Sequence, residues 1–251
     1  METFAAPRDR SAWPERGSTV KPTVGVLALQ GDFEAHAHAL RNAGASTTLV
    51  RTAADLDGLD GLAIPGGEST TMLKVLERDG FFEALREFLC FTPCFATCAG
   101  CILLAREVLS PGQSSLGLLD ITVERNAYGR QIDSAILTEE TELPGGPLET
   151  VFIRAPRITR AGANVQVLAL REGNPTLVRQ GHLLAATFHP EMTADSRVQN
   201  LFLEMVYAYK FAGPRANPKR SRFAIGRNQA QSKQRGDRAL SRVGRGLISA
   251  I

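Results

Sequence analysis

The stretch "VGVLALQGDFEAHAHALRNAG", Val24–Gly44, decides the fold. It begins with "VGVLAL", a continuous apolar run rich in β-branched residues, which is typical of a strand buried on both faces. It continues with Phe33, Ala37 and Leu40 at helical spacing, and a glycine ends this pattern. A buried strand followed at once by an amphipathic helix is the first half of a βαβ unit.

The same alternation continues along the next sixty residues. "STTLV" (Ser46–Val50) predicts a second strand, "GLAIPGG" (Gly61–Gly67) a third that ends in a glycine turn, and "PCFAT" a fourth. Helical patterns follow in "TTMLKVLE", which Ser69 can cap, in "FFEALREFL" and in "AGCILLARE". We therefore predict an α/β fold with a mainly parallel open sheet flanked by helices.

The second half of the chain differs in character. "LGLLDITVE", "ETVFIRAPRI", "NVQVLAL" and "TLVRQGHLLAATFHP" are predicted to be strands, with a hairpin at Gln180-Gly181. We expect these partly antiparallel strands to extend the sheet or to form a second layer on it. "ADSRVQNLFLEMVYAYKF" (Ala194–Phe211) predicts a long final helix.

Composition places the chain among globular proteins. Of its 251 residues, 43% are hydrophobic and 22% are charged. No apolar run reaches the roughly 18 residues that would span a bilayer, and residues 1–22 contain no apolar stretch of the secretory type. Three of the four cysteines are crowded together, which is unlike a disulfide framework. We expect a cytoplasmic protein without a membrane partner.

Charge is distributed unevenly. Residues 211–251 contain ten basic residues and one acidic residue, whereas the other 210 residues contain 19 basic and 25 acidic ones. We predict an N-terminal extension over residues 1–22, a main domain over 23–210 and a disordered basic tail over 211–251. A solvated tail without a defined role is the preferred interpretation, and contact with nucleic acid or an acidic surface is the alternative.

The residues that suggest chemistry follow strand ends, where ligands bind in open α/β sheets. Cys98 stands between a strand-like run and a helical one, as in a nucleophile elbow, and the amino end of that helix favours a thiolate. His189, in "FHPE" at the end of the last strand, supplies an acid–base partner. Glu191, two residues on, can orient the imidazole. The sequence thus predicts a Cys-His-Glu triad.

Other roles for the cysteines and histidines stay open at this point. Cys94, Cys98 and Cys101 resemble a metal-binding spacing, but a strand followed by a helix would direct them differently, and no His/Cys pair completes a tetrahedral set. Core packing is the preferred interpretation for Cys94 and Cys101. His36 and His38 are assigned surface or packing roles, and His182, beside a turn glycine, is predicted to lie at the surface.

Six segments together are similar to one family. In order they are "GVLALQGDFEAH", "GLAIPGGESTTM", "FATCAGCILLA", "DITVERNAYGRQIDS", "VFIRAPRI" and "FHPEMT". Over roughly Thr23–Lys210 the chain resembles the glutaminase subunits of pyridoxal 5′-phosphate synthases, which are class I (triad) glutamine amidotransferases with a flavodoxin-like sheet. One departure is Ala96, where the family's elbow has glycine. We expect it to be tolerated or to slow the reaction modestly.

The resemblance implies a reaction and its residues. It implies that Cys98 attacks the side-chain amide of glutamine, that His189 transfers protons and that Glu191 orients His189. It also implies an oxyanion site formed by the N–H groups of Gly67 and Ala99. The implied glutamine-binding residues are Gly67, Glu68, Ser69, Arg125, Ile153 and Arg154.

The resemblance also implies a partner. Ammonia would pass to a TIM-barrel synthase subunit in a large hetero-oligomer, and neither a cofactor nor a metal is implied. Two alternatives remain open: a catalytically silent regulatory or binding subunit, and the amidotransferase subunit of another biosynthetic pathway.

Overall fold

The computed structural model describes residues 21–125 and 134–211. The predicted basic tail, nearly all of the predicted N-terminal extension and most of the "ERNAYGRQ" segment lie outside these described residues. Within them, no helix combines the length and apolar character that crossing a membrane would require.

Five α-helices, two short 3-10 helices (Ala53–Leu56 and Pro190–Met192) and twelve strands build the described part of the chain. The strands are β1 (Thr23–Leu27), β2 (Ser46–Val50), β3 (Gly61–Ile64), β4 (Cys94–Thr97), β5 (Ala105–Leu109), β6 (Leu119–Glu124), β7 (Ser134–Glu139), β8 (Leu148–Ile153), β9 (Arg157–Ala161), β10 (Gln166–Arg171), β11 (Asn174–Gln180) and β12 (Leu183–Ala186). The helices are α1 (Phe33–Asn42), α2 (Ser69–Leu76), α3 (Phe81–Leu89), α4 (Ala99–Leu104) and α5 (Arg197–Phe211).

Seven strands form the main sheet, in the order β10-β11-β12-β4-β3-β1-β2. Within this order, the neighbouring strands β12, β4, β3, β1 and β2 pair in parallel. Strand β11 pairs antiparallel with both β12 and β10. The predicted α/β fold with a mainly parallel open sheet and later antiparallel strands is therefore confirmed. Strands β5, β6 and β9 form a second sheet, and β7 and β8 form a third.

Helices cover both faces of the main sheet, so its central strands are buried on both sides. Side chains of α2, α3 and α4 pack on one face and those of α1 and α5 on the other. In β3, Leu62 and Ile64 belong to the first cluster and Ala63 to the second. This two-sided burial explains why the parallel strands are continuous apolar runs in the sequence.

Several local predictions were wrong. The helix predicted for "AGCILLARE" ends at Leu104, because the next five residues form β5 and pair with β6. "ETVFIRAPRI" is two strands, since Arg154 has a φ of 46° and Pro156 cannot donate a backbone hydrogen bond. Ser69 is the first residue of α2 rather than its cap, and β7 was not predicted. The hairpin at Gln180-Gly181 is present.

Candidate active site

Cys98 lies on a sharp turn between β4 and α4, at the carboxyl edge of the main sheet. Its φ is 47°, an unusual value for a residue with a side chain, and its N–H donates to the carbonyl of Ala186 at 2.9 Å. The residue is 7% exposed, and its Sγ lies 3.9 Å from the Ile153 carbonyl oxygen. This is the strained strand–turn–helix geometry of a nucleophile elbow.

His189 and Glu191 meet at the same edge. His189 follows β12 and donates its backbone N–H to the Val151 carbonyl at 2.8 Å, which fixes it against β8. Its Nδ1 lies 2.7 Å from Oε1 of Glu191, and Cys98 is close enough to contribute to the raised pKa of its imidazole. Because Nδ1 is engaged by the carboxylate, Nε2 is the nitrogen left for the thiol.

Opposite charges dominate this site despite its burial. Burial alone would lower the pKa of His189, but its hydrogen bonds to Cys98 and Glu191, together with their charges, raise it to about 10. Burial alone would raise the pKa of Glu191, but the charges of His36 and His189, with hydrogen bonds to both, lower it to about 2. At neutral pH the site therefore holds an imidazolium against a carboxylate.

The glycine turn after β3 forms the opposite wall. A Cβ atom on Gly66 would collide with the imidazole of His189 and would lie 3.2 Å from Cβ of Cys98. Gly67 has a φ of 151°, and the position that a Cβ atom would occupy lies against the side chain of Gln30. Oε1 of Gln30 accepts the backbone N–H of Glu68. Only glycine leaves room for this close approach.

Two of the predicted glutamine-binding residues, Glu68 and Arg125, contact each other beside this turn, whereas Ser69 bonds elsewhere. Glu68 caps α2 by accepting the N–H groups of Thr70 at 3.1 Å and Thr71 at 2.8 Å. Nη2 of Arg125 donates to Oγ1 of Thr70 at 2.8 Å and lies 3.4 Å from Oε1 of Glu68. Ser69 is 3% exposed, and its hydroxyl donates to the side-chain oxygen of Gln113 at 3.1 Å.

The other predicted site residues are Ala99, Ile153 and Arg154. Ala99, the first residue of α4, is buried directly after Cys98, and Ile153 approaches Cys98 through its carbonyl. Arg154 follows Ile153 with an exposed side chain and the left-handed backbone noted above.

The surroundings of Cys94, Cys101 and His182 differ from those of Cys98 and His189. Cys94 and Cys101 are fully buried free thiols in the core, and burial raises the pKa of both. His182 was wrongly predicted to be a surface residue. It is half-buried, its Nε2 lies 2.8 Å from the Leu89 carbonyl oxygen, and burial lowers its pKa. Among residues 21–125 and 134–211, no three His, Cys, Asp or Glu side chains are grouped as metal ligands would be.

Sequence reasoning missed three residues of this region: Gln30, His36 and Gln113. Gln30 follows β1 and His36 lies on the buried face of α1, three residues after Phe33 and four before Leu40. Its place on that apolar stripe was the available signal. Gln113 comes from a loop without any strand or helix pattern, so its contact with Ser69 had no signal in the sequence.

Comparison with known proteins agrees with this geometry. A family model described as the SNO glutamine amidotransferase family matches residues 26–208. The chain is 59% identical over 183 residues to a pyridoxal 5′-phosphate synthase subunit PdxT of Koribacter versatilis, covering 73% of this chain and 95% of the relative. It is 53% identical over 186 residues to the PdxT subunit of Solibacter usitatus, covering 72% and 97%. A crystal structure of a glutamine amidotransferase matches with a TM-score of 0.69 at 46% identity, covering 73% of this chain and 98% of the other.

Proposed function

The chain belongs to the SNO glutamine amidotransferase family, and from this premise we propose that it hydrolyses glutamine to glutamate and ammonia for pyridoxal 5′-phosphate synthesis. The reaction would take place in residues 23–210. Glutamine is the substrate, and the residues that we propose to act on it are those of the candidate active site.

One arrangement carries the proposal: a thiol on an elbow, an imidazole that follows the neighbouring strand, and a buried carboxylate bonded to the imidazole. The 2.7 Å contact between Nδ1 of His189 and Oε1 of Glu191 supports a charged imidazole beside Cys98. The raised pKa of His189 favours the imidazolium that a leaving amide nitrogen needs as its proton donor.

The steps follow from these positions. The Cys98 sulfur forms a bond to the side-chain amide carbon of glutamine, and the carbonyl electrons move onto oxygen. The His189 imidazolium gives its proton to the amide nitrogen, which leaves as ammonia when the C–N bond breaks and a thioester remains. His189, now neutral, takes a proton from water as the water oxygen bonds to the thioester carbon. The C–S bond then breaks and the sulfur leaves with the electron pair, while the new carboxyl group of glutamate releases its proton to solution and His189 is again an imidazolium.

The developing oxyanion needs donors that are already in place. We assign this role to the backbone N–H groups of Gly67 and Ala99, which border the turn and the elbow. Loss of one such donor typically costs about 3–4 kcal/mol in the barrier. Glu68, Ser69, Arg125, Ile153 and Arg154 would hold the substrate. The positive charge of Arg125, already close to α2, suits an α-carboxylate.

Ammonia requires a receiver. The two relatives are named as subunits of pyridoxal 5′-phosphate synthase, and their similarity over more than nine-tenths of their own length supports the same assignment for this chain. We propose that a synthase subunit with a TIM-barrel fold accepts the ammonia within a large hetero-oligomer in the cytoplasm.

The alternative of a silent binding subunit rested on Ala96 and on the basic tail. Ala96 lies inside β4 with extended backbone and pairs with Ile64 and Ala185. A methyl group is compatible with that conformation, so it gives no support to a defective elbow.

The proposal is tested by measuring glutamate release from glutamine by the full chain, with and without a pyridoxal 5′-phosphate synthase subunit. We expect release that Cys98→Ala abolishes and that Cys90→Ser, a change at an exposed thiol, leaves intact. Absence of release in the presence of the partner, with both proteins folded, would contradict the proposed function.

A further inference from the structure

His36 is a buried polar residue that contacts the proposed triad from outside it. It is 1% exposed, on the face of α1 that packs against the main sheet. Its Nε2 lies 3.2 Å from Oε1 of Glu191 and 2.9 Å from Oγ1 of Thr97. Its ring packs edge-on against Phe95, with centroids 5.9 Å apart.

The chemistry of these partners favours a hydrogen on Nε2 of His36. An ionised carboxylate only accepts hydrogen bonds, so the contact with Glu191 is favourable when Nε2 carries its hydrogen, which then lies between Oε1 of Glu191 and Oγ1 of Thr97. Oε1 of Glu191 lies 3.2 Å from Nε2 of His36 and 2.7 Å from Nδ1 of His189. Oε2 is buried and has no hydrogen-bond partner within the described part of the chain.

This asymmetry resists rotation of the carboxylate. Rotating the carboxylate away from this orientation would lose the contact with His36 and the contact with His189 together. Thr97 immediately precedes Cys98 in β4, so its hydroxyl ties the His36 ring to the strand that carries the nucleophile. Helix α1, β4 and the turn that bears Glu191 are thus joined through one imidazole.

We propose that His36 is a positioning residue, which holds the Glu191 carboxylate in the orientation that the proton-transfer step requires. The role rests on the proposed function, because it acts on the same reaction. His36 touches Glu191 and Thr97 and acts on His189 only through that carboxylate. It is therefore expected to affect turnover more than substrate binding.

Three substitutions distinguish the effect of losing the hydrogen-bond donor from the effect of losing the imidazole ring. His36→Leu removes the donor and fills part of the space, His36→Asn keeps an amide too short to reach Glu191, and His36→Gln places an amide N–H near the position of Nε2. We expect kcat for glutamine to fall about 10- to 100-fold in the Leu and Asn variants with little change in KM, and to recover in the Gln variant. His38→Gln, an exposed change on the same helix, is the matched control.

A second measurement is independent of glutamine turnover. Alkylation of Cys98 by iodoacetamide is followed against pH in the full chain, and mass spectrometry separates this site from Cys90. A misaligned Glu191 stabilises the His189 imidazolium less, so the alkylation profile of His36→Leu and His36→Asn should differ from that of the unsubstituted chain and lie at higher pH. The profile of His36→Gln should match that of the unsubstituted chain.

The outcomes are distinct. Slow Leu and Asn variants with a restored Gln variant, and the matching shift in alkylation, support the proposal. Three results would overturn it: equal activity in all three variants, equal losses in all three, or failure of all three to fold. In each case the hydrogen-bond donor would have no specific role. If the unsubstituted chain released no glutamate with its partner, the proposed function would fail while the alkylation profiles still decided the role of His36.

Discussion

The imidazole of His189 lies directly against Gly66, so that a Cβ atom on Gly66 would come within 3.0 Å of its Cε1. We expect Gly66→Ala to displace the imidazole from Cys98 and to lower kcat about 100-fold, because small displacements of a reacting group are costly. The measurement is glutamine turnover, with folding checked by circular dichroism. Gly112→Ala, where the nearest atom lies 3.4 Å from the added carbon, is the control. Turnover within threefold of the unsubstituted chain would contradict the assignment of His189.

Stability should depend on pH through His189 and Glu191 in opposite directions. The pKa of His189 rises from 6.5 to about 10, so its stabilising contribution is complete below pH 6.5 and is lost as the pH rises toward 10. The pKa of Glu191 falls from 4.5 to about 2, so its contribution is complete above pH 4.5 and is lost toward pH 2. Both contributions are complete between pH 4.5 and 6.5.

Denaturant unfolding at several pH values tests this relationship. The difference in free energy of unfolding between the unsubstituted chain and His189→Gln should shrink between pH 6.5 and 10. In a Cys98→Ala background it should shrink at lower pH, because one hydrogen bond that raises the pKa of His189 is gone. A difference that stays constant up to pH 10 would mean that the imidazole is not held in its charged form.

Gly100 supports the elbow by close packing. A Cβ atom there would collide with the carbonyl oxygen of Ile64 and lie 2.9 Å from its Cγ2. A backbone atom cannot move aside as a flexible side chain can, so Gly100→Ala should lower the free energy of unfolding by about 1–3 kcal/mol. The exposed Gly112→Ala should change it by less than about 0.5 kcal/mol in the same urea titration. Equal values for the two variants would show that the contact with Ile64 is relaxed.

The sequence predicted the parallel half of the fold because β1, β3 and β4 are buried on both faces, and because turn residues bound these strands and the half-exposed edge strand β2. Ser46–Val50 and Phe81–Leu89 match the structure residue for residue. Prediction failed where tertiary contacts decide the conformation. "ARE" continues the helical pattern of α4, yet β5 forms because β6 lies beside it. In β7 the apolar residues Ala135–Leu137 are consecutive rather than alternating, and Ile136 is 72% exposed.

The candidate site was predictable to the extent that its residues follow strand ends. Cys98 and His189 do so, and their meeting follows from the parallel pairing of β4 with β12. His36 could not be assigned, because a histidine on an apolar helical stripe does not reveal what it faces across the sheet. Its contact with Glu191 is visible only in the structure.

Ala96 provides a test of whether the elbow needs glycine before its threonine. Its methyl group is fully buried between Ile64 and Ala185 in neighbouring strands, and its backbone is that of a strand. Ala96→Gly should therefore lower the free energy of unfolding by about 1–2 kcal/mol, through lost burial and a more flexible unfolded chain, and leave kcat unchanged. Ala185→Gly, equally buried in the adjacent strand, should cost about the same. A severalfold rise in kcat on Ala96→Gly would instead mean that the methyl group distorts the turn that carries Cys98.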